Sequence, residues 1–142
     1  LLKSSSIIKT MYSKNVIVAM LQASSALAAT HNVNVGGNKQ LIFTPTSVKA
    51  AAGDTVRFTF LDQNHTATAG SPSAGCQPAN PVQFNSGFVP VAANATTKPT
   101  FDVAVTNALP MTVYCGQAAH CQSGMVMVIN PAPVVCTLTY DS

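Results

Sequence analysis

From residue 32 to residue 130 the chain alternates short apolar stretches with turn-forming residues, and no stretch shows sustained helical periodicity with caps. Asn32-Val33-Asn34-Val35 alternates polar with apolar and stops at the Gly36-Gly37 pair, which predicts a strand and its turn. Leu41-Ile42-Phe43 predicts a short strand ended by Thr44-Pro45. Pro45 has no N–H to give to a central ladder, so this strand belongs at an edge or stops there. Ser47-Val48-Lys49-Ala50 leads to a turn at Ala52-Gly53-Asp54. Val56, Phe58 and Phe60 then share one strand face, with Arg57 and Thr59 on the other. Phe101, Val103 and Val105 again point one way, residues 107–110 turn, and two apolar runs follow at 111–115 and 125–130, the second ended by Pro131 and Pro133. Between these halves, residues 62–90 are irregular, and only Val82-Gln83-Phe84 hints at order. So long a loop in a compact domain serves a function or a clamp. Many short strands with Gly and Pro punctuation and no internal repeat predict an all-β sandwich or barrel.

The last two apolar runs bracket the chemistry. Between them lies Tyr114-Cys115-Gly116-Gln117-Ala118-Ala119-His120-Cys121-Gln122-Ser123-Gly124-Met125, with a thiolate, an imidazole and a thioether evenly spaced at Cys115, His120 and Met125. A trigonal copper site takes two imidazoles and a thiolate, with a weak thioether as fourth ligand. The missing imidazole is expected from His65, which follows the strand at 56–60. Each of these residues alone has a plainer reading: a solvated loop histidine, a packed methionine, a cysteine in a disulfide. Together, the four types in this order favour a single copper ion with Cys115 as strong thiolate, His65 and His120 equatorial and Met125 axial. A zinc site from Cys115, His120, Cys121 and His65 fits less well, because adjacent His120 and Cys121 serve one tetrahedron poorly. Copper chelated by an N-terminal His31 needs cleavage after Thr30, against the small-residue rule, and a second unclaimed histidine. His31 is expected to be solvated.

The ligand loop, the upstream His65 and the pattern Gly53-Asp54-Thr55-Val56-Arg57-Phe58-Thr59-Phe60 resemble the cupredoxins, the small blue copper proteins. Cys121 directly after His120, with Cys76 downstream of His65, is similar to the phytocyanin branch and its secreted fungal relatives, as is Ser86-Gly87-Phe88-Val89-Pro90. The resemblance covers residues 31–130. It implies an all-β Greek-key β-sandwich of the cupredoxin type with about seven or eight strands. It also implies a Cys76–Cys121 disulfide, a higher potential for axial Met125 than for a glutamine, and electron entry at the exposed edge of His120. Cys136 is then left over: free, joining two chains, or a sign that the pairing differs.

Composition narrows the setting. Of 142 residues, 47% are apolar and only 8% charged, unlike a disordered chain, and seven scattered basic residues make no nucleic-acid patch. Met11-Tyr12-Ser13-Lys14-Asn15, the apolar Val16-Ile17-Val18-Ala19-Met20-Leu21 and Ala26-Leu27-Ala28 form the three parts of a secretory signal, cleaved after Ala28 or Ala29. Residues 1–29 are therefore read as signal peptide with an upstream extension, 30–131 as the domain and 132–142 as a tail. Beyond the leader, Lys39, Lys49, Arg57 and Lys98 balance Asp54, Asp62, Asp102 and Asp141, so no strongly charged partner is implied. No apolar tail follows Asp141-Ser142, so a lipid anchor added at such a tail is not expected. Asn94-Ala95-Thr96 is a glycosylation candidate in a polar loop, whereas a sugar on Asn64 competes with a metal at His65.

The expected function is a secreted, non-enzymatic one-electron carrier with one copper ion, a monomer without membrane or nucleic-acid partners once the signal is removed. Its redox partner is a protein or a small-molecule donor or acceptor. The alternatives are an extracellular or cell-wall protein that stores or scavenges copper, and a structural or interaction module.

Overall fold

The computed structural model describes residues 27–133. Most of the leader and of the tail, with Cys136, lies outside them. Ten strands run in order: β1 (Thr30–Val35), β2 (Phe43–Thr44), β3 (Ser47–Val48), β4 (Thr55–Phe60), β5 (Gln63–His65), β6 (Thr68–Gly70), β7 (Val89–Val91), β8 (Thr100–Ala104), β9 (Met111–Tyr114) and β10 (Val126–Ile129). They form two four-stranded sheets, β2-β1-β4-β8 and β3-β10-β9-β6, and a small sheet pairing β5 with β7. No helix occurs among the described residues.

The alternation along each strand sets which side chains go inside. Val33 and Val35 from β1 and Val56, Phe58 and Phe60 from β4 are fully buried, and β1 and β4 pair in parallel with Val33 opposite Phe58. From the second sheet, Val113, Met127 and Ile129 join the same cluster. Phe58 anchors it, meeting Phe43 edge to face at 6.1 Å and Phe84 at 6.2 Å, a geometry worth somewhat more than its buried area. On the outer face of the β4–β8 pair, Arg57 and Asp102 form a two-pronged ion pair, solvated and of little net weight. Between β9 and β10 only the ligand loop intervenes, so both of its ends rest on the buried sheet.

Three expectations change. The strand number is ten rather than seven or eight, because the stretch read as irregular contains β5, β6 and β7. Each is a three-residue piece, too short for an apolar period to show. Val82-Gln83-Phe84 is not a strand; there the Phe84 carbonyl accepts the Ala69 N–H while its ring packs on the core. His31 is not simply solvated either. Its Nε2 lies 2.8 Å from Asp54 Oδ2, although nothing in the sequence pairs positions 31 and 54 before β1 and β4 are placed side by side. β2 does sit at the edge of its sheet, with Pro45 just beyond.

Asp54 closes this end of the sandwich. Its carboxylate accepts the His31 side chain and the Ala29 and Ala51 N–H groups, which together hold its pKa down at about 2 against 3.8 for the free side chain. A carboxyl depressed by folding lends stability above its unfolded pKa and loses it as pH falls through the folded value. Stability is therefore expected to drop between roughly pH 4 and pH 2, and Asp54→Asn should lower the urea midpoint at neutral pH while flattening that acid limb. An acid limb of unchanged depth in the variant would show that Asp54 carries no such role.

Candidate metal centre

Two chain segments converge at one pole of the sandwich. The first leaves β4 after Phe60, turns through Leu61 and Asp62, and enters β5, whose last residue is His65. The second leaves β9 at Tyr114, so that Cys115 heads the ligand loop while its own N–H still bonds the Met125 carbonyl at 3.2 Å. Within that loop the His120 N–H bonds Gln117 O, and the Met125 N–H returns to His120 O at 3.0 Å. The winding is tight enough to put Ala118 at φ 42° and Gly124 at φ 96°, left-handed conformations that a glycine tolerates and an alanine adopts only where its surroundings dictate. These bonds tie the backbones of Cys115, His120 and Met125 to one another before any side chain is considered.

The side chains meet inside. His65 Nδ1 and His120 Nδ1 are 3.2 Å apart, and Cys115 Sγ lies 3.7 Å from the first and 3.5 Å from the second. His65 and Cys115 are fully buried and His120 half-buried. Metal–nitrogen bonds of about 2.0–2.1 Å and metal–sulfur bonds of about 2.3 Å place such donors roughly 3.3–3.8 Å apart around a common ion, close to the separations seen. Three atoms that can each offer a lone pair thus face a common point at the right separation for one cation between them. Soft sulfur with two imidazoles suits copper. Met125 is fully buried in the same core cluster as Cys115, next to the loop's return into β10. Among the described residues, His65, Cys115 and His120 form the only group of three or more metal-ligating His, Cys, Asp or Glu side chains.

The surroundings restrain these donors. The Thr66 N–H points at Cys115 Sγ from 3.4 Å, and the Thr66 hydroxyl accepts the Gly116 N–H at 2.7 Å, so one residue braces the sulfur and the start of its loop. That hydroxyl lies 3.1 Å from the Thr68 hydroxyl, which donates to Asn85 Oδ1. Asn64 Nδ2 reaches across to Gln117 Oε1 at 3.2 Å, binding the two ligand segments outside the metal cavity. Cys76 and Cys121 form a disulfide with Cα atoms 5.6 Å apart, the pairing the phytocyanin resemblance implies. Closing a loop of this length adds stability of about 4 kcal/mol in the chain-entropy account and fixes the residue after His120. Cys115 is outside any disulfide, which leaves its sulfur able to lose its proton and ligate a metal as the thiolate. Burial, then the neighbouring His120, lowers the His65 pKa, which favours the neutral ring that a metal requires. Burial, helped by Cys115, raises the Tyr114 pKa.

Sequence reasoning missed the bracing residues. Thr66 and Gln117 are ordinary loop residues in the sequence, and only the crossing of the two segments gives them partners. Asn64, with its amide engaged and half-buried, is a poor place for a sugar. Asn94 is exposed in the turn between β7 and β8.

No family model matches the chain. It is 33% identical over 121 residues to a probable GPI-anchored cupredoxin-1 of Arthroderma benhamiae, covering 85% of this chain and 61% of that protein. It is 37% identical over 117 residues to an extracellular serine-rich protein of the same fungus, covering 82% of this chain and 45% of the relative. The chain thus spans about half the length of these curated relatives. In fold it is similar to reduced auracyanin from the photosynthetic bacterium Roseiflexus castenholzii, with a TM-score of 0.53 at 15% identity, over 76% of this chain and 100% of that one.

Replacing the buried Thr66 by the isosteric valine would strip the Gly116 N–H of its acceptor, although Gly116 itself is exposed and water can replace part of what is lost. The variant is expected to lose about 0.5–1.5 kcal/mol of stability in urea denaturation, the net worth of an ordinary hydrogen bond. A wild-type midpoint would show that this brace carries no load.

Proposed function

Since this chain is a cupredoxin, we propose that it is a secreted one-electron carrier holding a single type 1 copper ion through His65, Cys115, His120 and Met125. The observation that carries the reading is the approach of two imidazole nitrogens and one thiol sulfur, from segments fifty residues apart, to within 3.2–3.7 Å of one another inside the fold. When bound, copper supplies a Cu(I)/Cu(II) couple that no side chain of this protein offers.

The chain's own contribution is to keep its donors still. Cys115 and Met125 sit at the ends of paired strands, His120 is clamped by the disulfide at Cys121, and His65 ends a strand paired with β7. Donors so restrained move little between oxidation states, which keeps the reorganisation on electron transfer small. The Thr66 N–H donates to the sulfur and tempers its charge. Four protein donors leave no open position for a substrate, so the centre suits electron transfer rather than catalysis. Around the half-buried His120, Gly116, Ala118 and Ala119 are exposed, small and uncharged. Such a rim fits brief docking of a redox protein or a small-molecule donor or acceptor, the monomer being the working unit.

The Ala26-Leu27-Ala28 motif supports a secreted protein, as do an extracellular relative and a surface-anchored one. The surface-anchored relative also favours a second reading, a cell-wall protein that stores or scavenges copper. Reversible voltammetry with fast self-exchange supports the carrier, whereas very tight Cu(I) retention with sluggish exchange supports storage.

Added Cu(II) should give one equivalent of an intense visible band and an EPR spectrum with narrow copper hyperfine splitting. Cys115→Ser is expected to abolish the band and remain folded by far-UV circular dichroism; the same band in the variant would overturn the ligand assignment. Met125→Gln should keep the colour and lower the potential, and a large rise would count against an axial thioether. In a secreted preparation, enzymatic deglycosylation should shift the mass of the wild type but not of Asn94→Gln.

A further inference from the structure

His65 leaves one ring nitrogen unused. Its Nδ1 faces Cys115 and His120, while Nε2 points the other way, is fully buried, and has no hydrogen-bond partner. A buried imidazole N–H without an acceptor costs roughly 1–3 kcal/mol, so an acceptor poised nearby is significant. The one at hand is Asp62 Oδ1, 3.7 Å away, just outside hydrogen-bond range. Asp62 is not a loose surface carboxylate. The Gly37 N–H donates to its Oδ1 at 3.0 Å and the Lys39 N–H to its Oδ2 at 2.7 Å, so the β1–β2 turn holds it in place. Burial alone would raise its pKa, but those two amides together with His65 outweigh burial and keep it below the ordinary carboxylate value. Gly36 completes the arrangement. At φ 73°, a β-carbon there would fall 2.6 Å from Asp62 Oδ1 and 2.7 Å from His65 Nε2, wedged between the two groups.

We propose that Asp62 is the positioning residue of the metal centre: it accepts the His65 Nε2 proton, fixes the tautomer that leaves Nδ1 free for copper, and makes that nitrogen a stronger donor. The β1–β2 turn, remote from the ligand loop in sequence, thereby becomes part of the site. An acceptor on the outward nitrogen of a ligating histidine sets its tautomer and orientation, and its loss typically costs 10–100-fold in metal affinity. A carboxylate, unlike a neutral acceptor, also adds negative charge beside the ion and so favours Cu(II) over Cu(I). The inference rests on the copper reading for its second measurement, but not for its first.

In the reduced, copper-free protein at neutral pH, the 15N shifts of His65 should place its proton on Nε2; a proton on Nδ1 overturns the proposal. In the copper-loaded protein, Asp62→Asn should weaken Cu(II) binding 10–100-fold and raise the reduction potential, because one negative charge is removed. Wild-type affinity and potential in that variant overturn it. Should Asp62→Asn fail to fold, Gly36→Ala keeps the carboxylate but forces the pair apart, and it should weaken Cu(II) binding in the same direction; unchanged binding there overturns the proposal too. A wild-type chain that takes up no copper refutes the proposed function, and the 15N measurement then decides the role of Asp62 alone.

Discussion

The structure depends on one juxtaposition: two imidazole nitrogens and a sulfur held within 3.7 Å of one another inside the fold. Left to themselves, such groups would turn outward to water. They cannot, because His65 and Cys115 are fully buried and their backbones are locked into paired strands. The fold thus holds three donor atoms in an arrangement that a single metal ion can bridge. That is the condition for a centre whose shape is set by the protein rather than by the ion.

Everything near the pole serves that restraint by a different physical means. Packing of Phe58 with Phe43 and Phe84 stiffens the floor of the sandwich. The disulfide ties the residue after His120 to the long excursion between β6 and β7. Thr66 braces sulfur and loop with its amide and hydroxyl, and the Asn64–Gln117 bond joins the two segments outside. Behind His65, the β1–β2 turn presents an anchored carboxylate. No one of these contacts is strong. Their combined effect is that displacement of any donor must break several at once.

Much of this was legible in the chain. The alternation in β1, β4 and β8 and the apolar run of β10 were plain, because strands of four to six residues are long enough to show a two-residue period. Cys115 and His120, which the fold brings together with His65, announced themselves by residue type and spacing. β5, β6 and β7 did not, since three-residue strands have no period and owe their pairing to neighbours distant in sequence. His31 was misread for the same reason: its partner Asp54 is supplied by the parallel β1–β4 register, not by any local signal.

The sequence by itself determined the fold class and offered the candidate donors, because hydrophobic period and side-chain chemistry are local properties, written residue by residue. Only the tertiary structure decided that the donors meet, at what separation, and what stands behind them. Distances between segments are set by sheet register and core packing, which sum over the whole chain. Asp62 shows the difference most clearly: three residues before His65 it reads as a turn residue, and it stands 3.7 Å from the buried Nε2 of that histidine only because the β1–β2 turn folds over and pins its carboxylate there.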